Sequence, residues 1–167
     1  MILTLVRAAL PAVFVALLSC FAMAGPHSLP VDAPVVAMTF PDDWDVQKTN
    51  RLIEVTSKAG DMYVSYMIVG MQEFTRAMKT WDAWAGDQKI KLDDTNKSVK
   101  KFQFEGHDSI SHRWTGSDEN GPTIVMRTIL KLSEDKLVFI TEWGSVPATQ
   151  KYSTELQMIR RSVTKLR

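Results

Sequence analysis

The sequence is short of thiols. Its 167 residues include one cysteine, Cys20, which lies within the first 24 residues. A chain with one thiol cannot close an internal disulfide or supply the thiolates of a structural metal site. A chain that loses residues 1–24 has no thiol nucleophile either. We therefore expect a domain that is held together by its apolar core.

The chain also lacks an excess of charge of either sign. It has 20 Lys and Arg against 19 Asp and Glu, a formal net charge of +1 at pH 7. Loss of Arg7 with the first 24 residues removes that difference. Nucleic acids and anionic membranes select proteins with a basic surplus. The composition thus argues against both, and we expect no nucleic-acid partner.

Sequence motifs with established chemistry are missing as well. There is no Gly-x-Ser-x-Gly nucleophile elbow, phosphate loop, dinucleotide fingerprint or zinc-type spacing of Cys and His. The sequence therefore predicts no cofactor and offers no motif for a catalytic or metal site.

What the chain does have is an N-terminal segment typical of export. Arg7 is followed by an almost wholly apolar stretch over residues 8–18. Ala22 and Ala24 occupy the two positions that a signal peptidase inspects. These features predict a signal peptide over residues 1–24, a mature chain that begins at Gly25, and a periplasmic or secreted location.

A second interpretation of the same segment stays open. Residues 17–20 read Leu-Leu-Ser-Cys, which resembles the lipobox of bacterial lipoproteins, with Cys20 as the lipidated residue. The protein would then be an envelope lipoprotein, anchored to a membrane without spanning it. Contact with a membrane is expected only in that case.

The remaining sequence predicts a tether over residues 25–34 and a single domain over residues 35–167. The tether holds three prolines and shows no hydrophobic period. Strands are predicted over 35–40, 51–56, 63–69, 99–105, 109–115, 123–132 and 137–143. Helices are predicted over 75–88 and from near Pro147 onward, the second with an apolar stripe at residues 152, 156, 159, 163 and 166.

Several predicted strands are apolar on both faces, which is the pattern of a sheet covered on both sides. Over residues 137–143, Leu137 and Phe139 point one way, and Val138 and Ile140 point the other. Strands joined by short turns are antiparallel. The sequence therefore predicts the α+β class, with an antiparallel sheet of six to seven strands sandwiched between helices.

The order of these elements and three local motifs resemble the PsbP-like family. The motifs are residues 40–44 (Phe-Pro-Asp-Asp-Trp), Gly106 before a strand, and Tyr152 followed by residues 158–162 (Met-Ile-Arg-Arg-Ser). The family includes small extracytoplasmic proteins and lipoproteins. The resemblance implies an α/β/α PsbP-like fold over residues 35–167 and an accessory or binding role, because the motifs are structural rather than catalytic.

Two histidines are the main candidates for catalysis or metal binding. His107 is followed by Asp108 near a predicted turn, and His112 lies between Ile110 and Trp114 on one strand face. Because 107 and 112 are an odd number of residues apart, a continuous strand points these side chains to opposite faces. His107, Asp108 and His112 therefore stand as weak candidates for a small hydrolase or a metal-dependent enzyme.

Two other clusters favour structural roles. Asp42, Asp43 and Asp45 lack the spacing of a calcium-binding loop and fit the chemistry of a turn. Trp81 and Trp84 recur at helical spacing, which indicates a core face more than a ligand groove.

The expected function is non-enzymatic: an exported accessory or binding protein of the bacterial cell envelope, acting through contacts with an unidentified envelope protein. The loops over 41–50 and 117–122 are the expected contact surfaces, since binding residues concentrate on loops. Two alternatives remain open. One is the enzyme that uses His107 or His112, and the other is a carrier that holds an apolar ligand between a helix and the sheet.

Overall fold

The computed structural model describes residues 25–166. The predicted signal peptide, with Cys20, Ala22 and Ala24, lies outside the described residues. In the described range the strands are β1 (His27–Leu29), β2 (Val36–Met38), β3 (Asp45–Lys48), β4 (Leu52–Thr56), β5 (Met62–Gly70), β6 (Lys91–Leu92), β7 (Ser98–Phe104), β8 (His107–Asp118), β9 (Gly121–Lys131), β10 (Lys136–Ser145) and β11 (Thr164–Lys165). The α-helices are α1 (Phe74–Asp87), α2 (Val146–Lys151) and α3 (Ser153–Ser162).

Eight strands form one antiparallel sheet in the order β3-β4-β5-β10-β9-β8-β6, with β7 paired to β8 further along its length. α1 covers one face, and α2, α3 and a small sheet of order β1-β2-β11 cover the other. The predicted α+β class and layer order are confirmed. The sheet exceeds the predicted six to seven strands because β3 and β6 join its edges, and both are too short to show a two-residue period. The predicted strand over 35–40 contributes β2 to the small sheet instead.

The side chains of β10 point alternately to the two faces of the sheet and so contribute to both cores. Phe139 packs with Ala77 of α1 on one face. Val138 and Ile140 pack with Leu156 of α3 on the other. Each buried side chain of this size stabilises the fold by about 1.5–3 kcal/mol, so the central strand ties both helical layers to one sheet.

The segment over 25–34 is part of the folded domain rather than a tether. β1 pairs with β2, and Leu29 is fully buried (0% exposed) in the core. The backbone N–H of Val35 donates to the carbonyl of Leu29 (2.8 Å), which closes the β1–β2 turn. The sequence did not reveal this strand because three residues with one buried apolar side chain have no recognisable period.

The C-terminal helix is shorter than predicted and is broken once. Tyr152 separates α2 from α3, and the helix ends at Ser162, whose hydroxyl accepts a hydrogen bond from the backbone N–H of Thr39 (2.8 Å). The chain then extends as β11, and the N–H of Leu166 donates to the carbonyl of Val35 (2.8 Å). Leu166 therefore leaves the predicted helical stripe, because strand pairing with β2 replaces the last helical turn.

Across residues 25–166, no helix combines the length and apolar character needed to cross a membrane.

Candidate functional site

The candidate histidines lie on opposite faces of β8. His112 is on the face toward α1, where its ring stacks on Trp114 with 5.5 Å between centroids. His107 is the first residue of β8, and the alternation of side chains along the strand places it on the face toward α3. Asp108 is hydrogen-bonded to the side-chain amide of Gln103. The structure thus does not bring the three candidates together, and residues 25–166 contain no group of three or more His, Cys, Asp or Glu placed to hold a metal ion.

His112 belongs instead to a cluster of cations and aromatic rings. Its cross-strand neighbour is Arg127, whose guanidinium lies 4.5 Å from the ring centre of Trp81 and 5.2 Å from that of Trp114. Burial, and then the positive charges of Arg127 and Lys97, lower the pKa of His112. The imidazole is therefore neutral at pH 7. Sequence reasoning missed Arg127, although an arginine inside a strand that is apolar on both faces was a usable signal.

The tryptophans of α1 divide between core and surface. Trp81 is buried, and its indole N–H donates to Oγ1 of Thr141 (3.1 Å). Trp84 is half-buried and stacks on Tyr63, with 5.5 Å between ring centroids. The prediction of a core face is confirmed for Trp81 and is only partly right for Trp84.

The acidic segment after β2 forms a turn, as predicted, and then a strand. Asp42 and Asp43 are exposed in the turn, and the N–H of Trp44 donates to the carbonyl of Pro41 (3.2 Å). Asp45 begins the edge strand β3. The expected contact loop over 41–50 is therefore a short turn followed by a strand that pairs with β4.

Two turns enclose a cleft of about 370 Å³ at one end of the large sheet. One wall is the β4–β5 turn at Gly60, and the other is the β8–β9 hairpin at Asp118 and Asn120. The floor is the end of β10, where a Cβ at Gly144 would lie 2.7 Å from Sδ of Met62, so only glycine fits without displacement. We call this site the loop-end cleft. It includes the expected contact segment over 117–122.

The turn over 41–44 reaches the same end of the sheet. The ring of Trp44 packs against that of Tyr152, with 5.3 Å between centroids. Lys151, next to Tyr152, pairs with the carboxylate of Asp61 in the β4–β5 turn (3.5 Å). This chain of contacts brings the turn over 41–44 and the segment over 117–122 to the same end of the sheet.

Three half-buried aromatic side chains, Tyr63, Trp84 and Trp143, pack together beside the loop-end cleft. Their ring centroids are 5.5 to 6.3 Å apart, at the separations typical of favourable aromatic pairs. The indole N–H of Trp143 donates to Oδ2 of Asp118 (3.0 Å), and the hydroxyl of Tyr63 donates to Oε1 of Glu54 (2.7 Å). We call this set the aromatic trio. Its hydrogen bonds and stacking hold a partly exposed aromatic surface in a fixed arrangement.

A second cleft of about 310 Å³ lies between α3 and the strands β7 to β10, and is open to solvent. We call it the α3 groove. Its lining is mainly apolar, and it also contains a lysine on β7 and an ion pair. The apolar residues that line it include Phe102, Phe104, Leu130, Ile140 and Val163.

The ion pair of the α3 groove joins Glu142 of β10 to Arg160 of α3. Glu142 is 5% exposed, and burial raises the pKa of its carboxyl against the opposing effect of Arg160. Nε of Arg160 donates to Oε1 of Glu142 (2.7 Å), and Nη2 donates to Oε2. The buried hydroxyl of Tyr66 has no hydrogen-bond partner within residues 25–166. Sequence reasoning missed this network, whose signal was a single charged residue within the apolar strand over 137–143.

No protein-family model matches the chain, and no curated protein matches its sequence. Among solved structures, it is similar to the cyanobacterial PsbP protein CyanoP from Synechocystis sp. PCC 6803. That match has a TM-score of 0.61 at 12% identity and covers 89% of this chain and 95% of CyanoP. The chain is also similar to LpqN of Mycobacterium tuberculosis, described as involved in cell envelope biogenesis. That match has a TM-score of 0.55 at 8% identity and covers 87% of this chain and 92% of LpqN. These likenesses confirm the PsbP-like fold.

Proposed function

We propose that this chain, a domain of PsbP-like fold, is an exported accessory protein of the cell envelope that acts by binding another protein rather than by catalysis. The observation that carries the proposal is the aromatic trio beside the loop-end cleft. Trp and Tyr supply a large share of binding energy at protein interfaces, and they do so from rigid, partly desolvated positions. The envelope role of LpqN supports the proposed location.

The charges around the loop-end cleft indicate what kind of partner would fit. Asp42 and Asp43 are exposed, and the structure shows no ion pair for either among residues 25–166. Glu119, at the tip of the β8–β9 hairpin, pairs with Lys89. We expect the partner to present basic side chains to the turn that holds Asp42 and Asp43, because complementary charge raises association rates and fixes orientation.

The enzymatic alternative has less support from the geometry. General acid–base or metal chemistry requires groups that converge on one point, within hydrogen-bond reach of a shared substrate. His107 and His112 diverge from opposite faces of β8. The neutral state of His112 follows from burial and neighbouring cations, which is a packing effect.

Site-specific photo-crosslinking in intact cells tests the proposal. A photoreactive amino acid in place of Asn120, in the β8–β9 hairpin, should give one discrete adduct with an envelope protein. The same amino acid in place of Glu134, in the β9–β10 turn at the opposite end of the sheet, is the matched control and should give none. Equal adducts from both positions would show that the cleft is not the contact surface.

Substitutions added to the crosslinking protein distinguish the protein-binding hypothesis from the enzymatic one. Asp42→Lys or Asp43→Lys should reduce the adduct by roughly tenfold, since each reverses one interfacial charge. Asp32→Lys, near the β3–β4 turn at the other end of the sheet, is the charge-matched control and should leave the amount of adduct unchanged. Changing His107 and His112 together to Ala should leave the adduct and cellular function intact. Loss of function in a folded double-His variant, with the Asp variants unaffected, would favour the enzyme.

A further inference from the structure

The α3 groove combines an apolar lining with a lysine and an ion pair. Glu142 is only 5% exposed, and it is one of the residues that line the groove. An apolar lining with a small number of charged groups is the usual make-up of a small-molecule site.

The charges of the groove leave one positive charge without a partner. Both carboxylate oxygens of Glu142 accept hydrogen bonds from Arg160, so that pair is internally neutral. Lys100, which also lines the groove, has no carboxylate within ion-pair distance among residues 25–166. A ligand that carries one negative charge would restore neutrality at the groove.

The apolar lining determines the chemistry of the uncharged part of the ligand. Phe102 and Phe104 come from β7, Leu130 and Ile140 from the two strands at the centre of the sheet, and Val163 from the end of α3. The volume of about 310 Å³ is at the lower end of the range of roughly 300–1,000 Å³ found for small-molecule pockets. It suits one slender hydrocarbon chain better than a bulky ring system.

We propose that the α3 groove binds a free, medium-chain fatty acid. The hydrocarbon chain lies against Phe102, Phe104 and Val163, and the carboxylate pairs with Lys100 at the β7 side of the groove. Charge complementarity decides between this ligand and its neutral or cationic analogues. This site is separate from the loop-end cleft, so its occupancy can be measured without the protein partner.

Titration of the folded protein with three ten-carbon probes tests the assignment. Methyl NMR would follow Leu130, Ile140 and Val163 during addition of decanoate, 1-decanol or decyltrimethylammonium below micelle-forming concentrations. Decanoate should give saturable shifts at these methyls with one site per chain. The alcohol should bind at least tenfold more weakly, and the cation should show no saturable binding, because Lys100 repels it.

A pair of lysine variants on β7 provides the matched control. Lys100→Gln should weaken decanoate binding by about tenfold and leave 1-decanol binding unchanged, since only the anion pairs with this side chain. Lys101→Gln removes the same charge from the opposite face of β7 and should have no effect.

Three results would overturn the proposal. Equal binding of decanoate and 1-decanol would show a groove without selectivity for an anion. Equal effects of the two lysine variants would show non-specific attraction to a basic edge. Shifts at the same methyls that depend on protein concentration without any probe, with no response to decanoate, would assign the groove to a second copy of the chain.

Discussion

Glu142 and Arg160 join the centre of the sheet to the C-terminal helix through two hydrogen bonds, one of them 2.7 Å from Nε to Oε1. The side chain of Glu142 is 6% exposed, while that of Arg160 is 41% exposed. The arginine therefore reaches from solvent to a nearly buried carboxylate. Together with the hydrogen bond from Thr39 to Ser162, this pair fixes where α3 lies on the sheet.

Arg160→Met should destabilise the fold by about 2–3 kcal/mol at pH 7, because it leaves a buried carboxylate without compensation. The expected loss is below the roughly 3–5 kcal/mol typical of fully buried pairs, since the arginine tip contacts solvent. Urea unfolding measures the difference. Adding Glu142→Gln to the same chain should recover part of it, because the uncompensated charge is then gone. A single variant as stable as the parent would show that the pair is energetically neutral.

The destabilisation caused by Arg160→Met should also depend on pH. The folded-state pKa of Glu142 is raised by burial, so the folded chain holds this proton more tightly than the unfolded chain does. Such a group favours folding below its unfolded pKa, and the contribution is lost as pH rises through the folded pKa. Removal of Arg160 takes away the charge that lowers this pKa, so the variant gains more from protonation of Glu142 than the parent does. The gap between variant and parent in urea unfolding should therefore be smaller at pH 4 than at pH 7. A gap that widens on acidification would contradict this sign.

Leu29→Ala should destabilise the protein by about 2–5 kcal/mol, the usual cost of a cavity at a fully buried leucine. Val31→Ala is the control two residues away. Val31 is 46% exposed, so its loss should change stability by less than about 0.5 kcal/mol. Thermal unfolding followed by circular dichroism measures both. Equal melting temperatures for the two variants would mean that the segment over 25–34 does behave as a tether.

A chain that ends at Pro147 should lose cooperative unfolding. Truncation removes Leu156 and Ile159, which are 2% and 1% exposed, and also β11. Each large side chain contributes about 1.5–3 kcal/mol, and a whole domain is stable by only about 5–15 kcal/mol. Calorimetry checks the prediction. A milder test compares Leu156→Ala with Gln157→Ala, its exposed control. Only the leucine variant should have a lower melting temperature.

His112 should titrate below the ordinary histidine value of 6.5, because burial and the charges of Arg127 and Lys97 all disfavour its protonation. Its folded-state pKa is lowered, so its contribution to stability is present above the unfolded value and declines as pH falls below it. NMR titration of the ring protons measures the pKa directly. Lys97→Gln should move that pKa upward, whereas Lys58→Gln, on the distant β4–β5 turn, should not.

The exported protein should begin at Gly25. The prediction depends on Ala22 and Ala24, which lie outside the described residues, and on the apolar stretch before them. Intact-mass spectrometry of protein recovered from the envelope fraction decides the matter. A mass that corresponds to a chain beginning at a lipid-modified Cys20 would establish the lipoprotein alternative instead.

The sequence predicted the elements that repeat and missed those that do not. α1 and the long strands of the sheet were predicted because their apolar residues recur over several turns or pleats. β1, β3, β6 and β11 are two to four residues long, and such segments are strands only because a partner strand is present. The predicted end of the C-terminal helix was wrong because the strand that follows it, β11, is also too short to be recognised in the sequence. Leu166 continues a helical stripe in the sequence, but pairing of β11 with β2 places it in an extended chain.

The candidate sites divide in the same way. Residue spacing by itself determined that His107 and His112 diverge, because alternation along a strand is a local property. It could not show that Arg127 lies against both Trp81 and Trp114, or that Arg160 reaches Glu142, because each contact joins elements distant in the chain.

By itself the sequence determined the class of the fold, the two-sided core and the absence of an internal disulfide, all of which follow from composition and from periods of two and 3.6 residues. Only the tertiary structure decided that two turns and an aromatic trio meet at one end of the sheet, and that a buried ion pair lies at the floor of an apolar groove. These sites depend on which strands become neighbours, and strand order is set by the packing of the whole chain rather than by any local pattern.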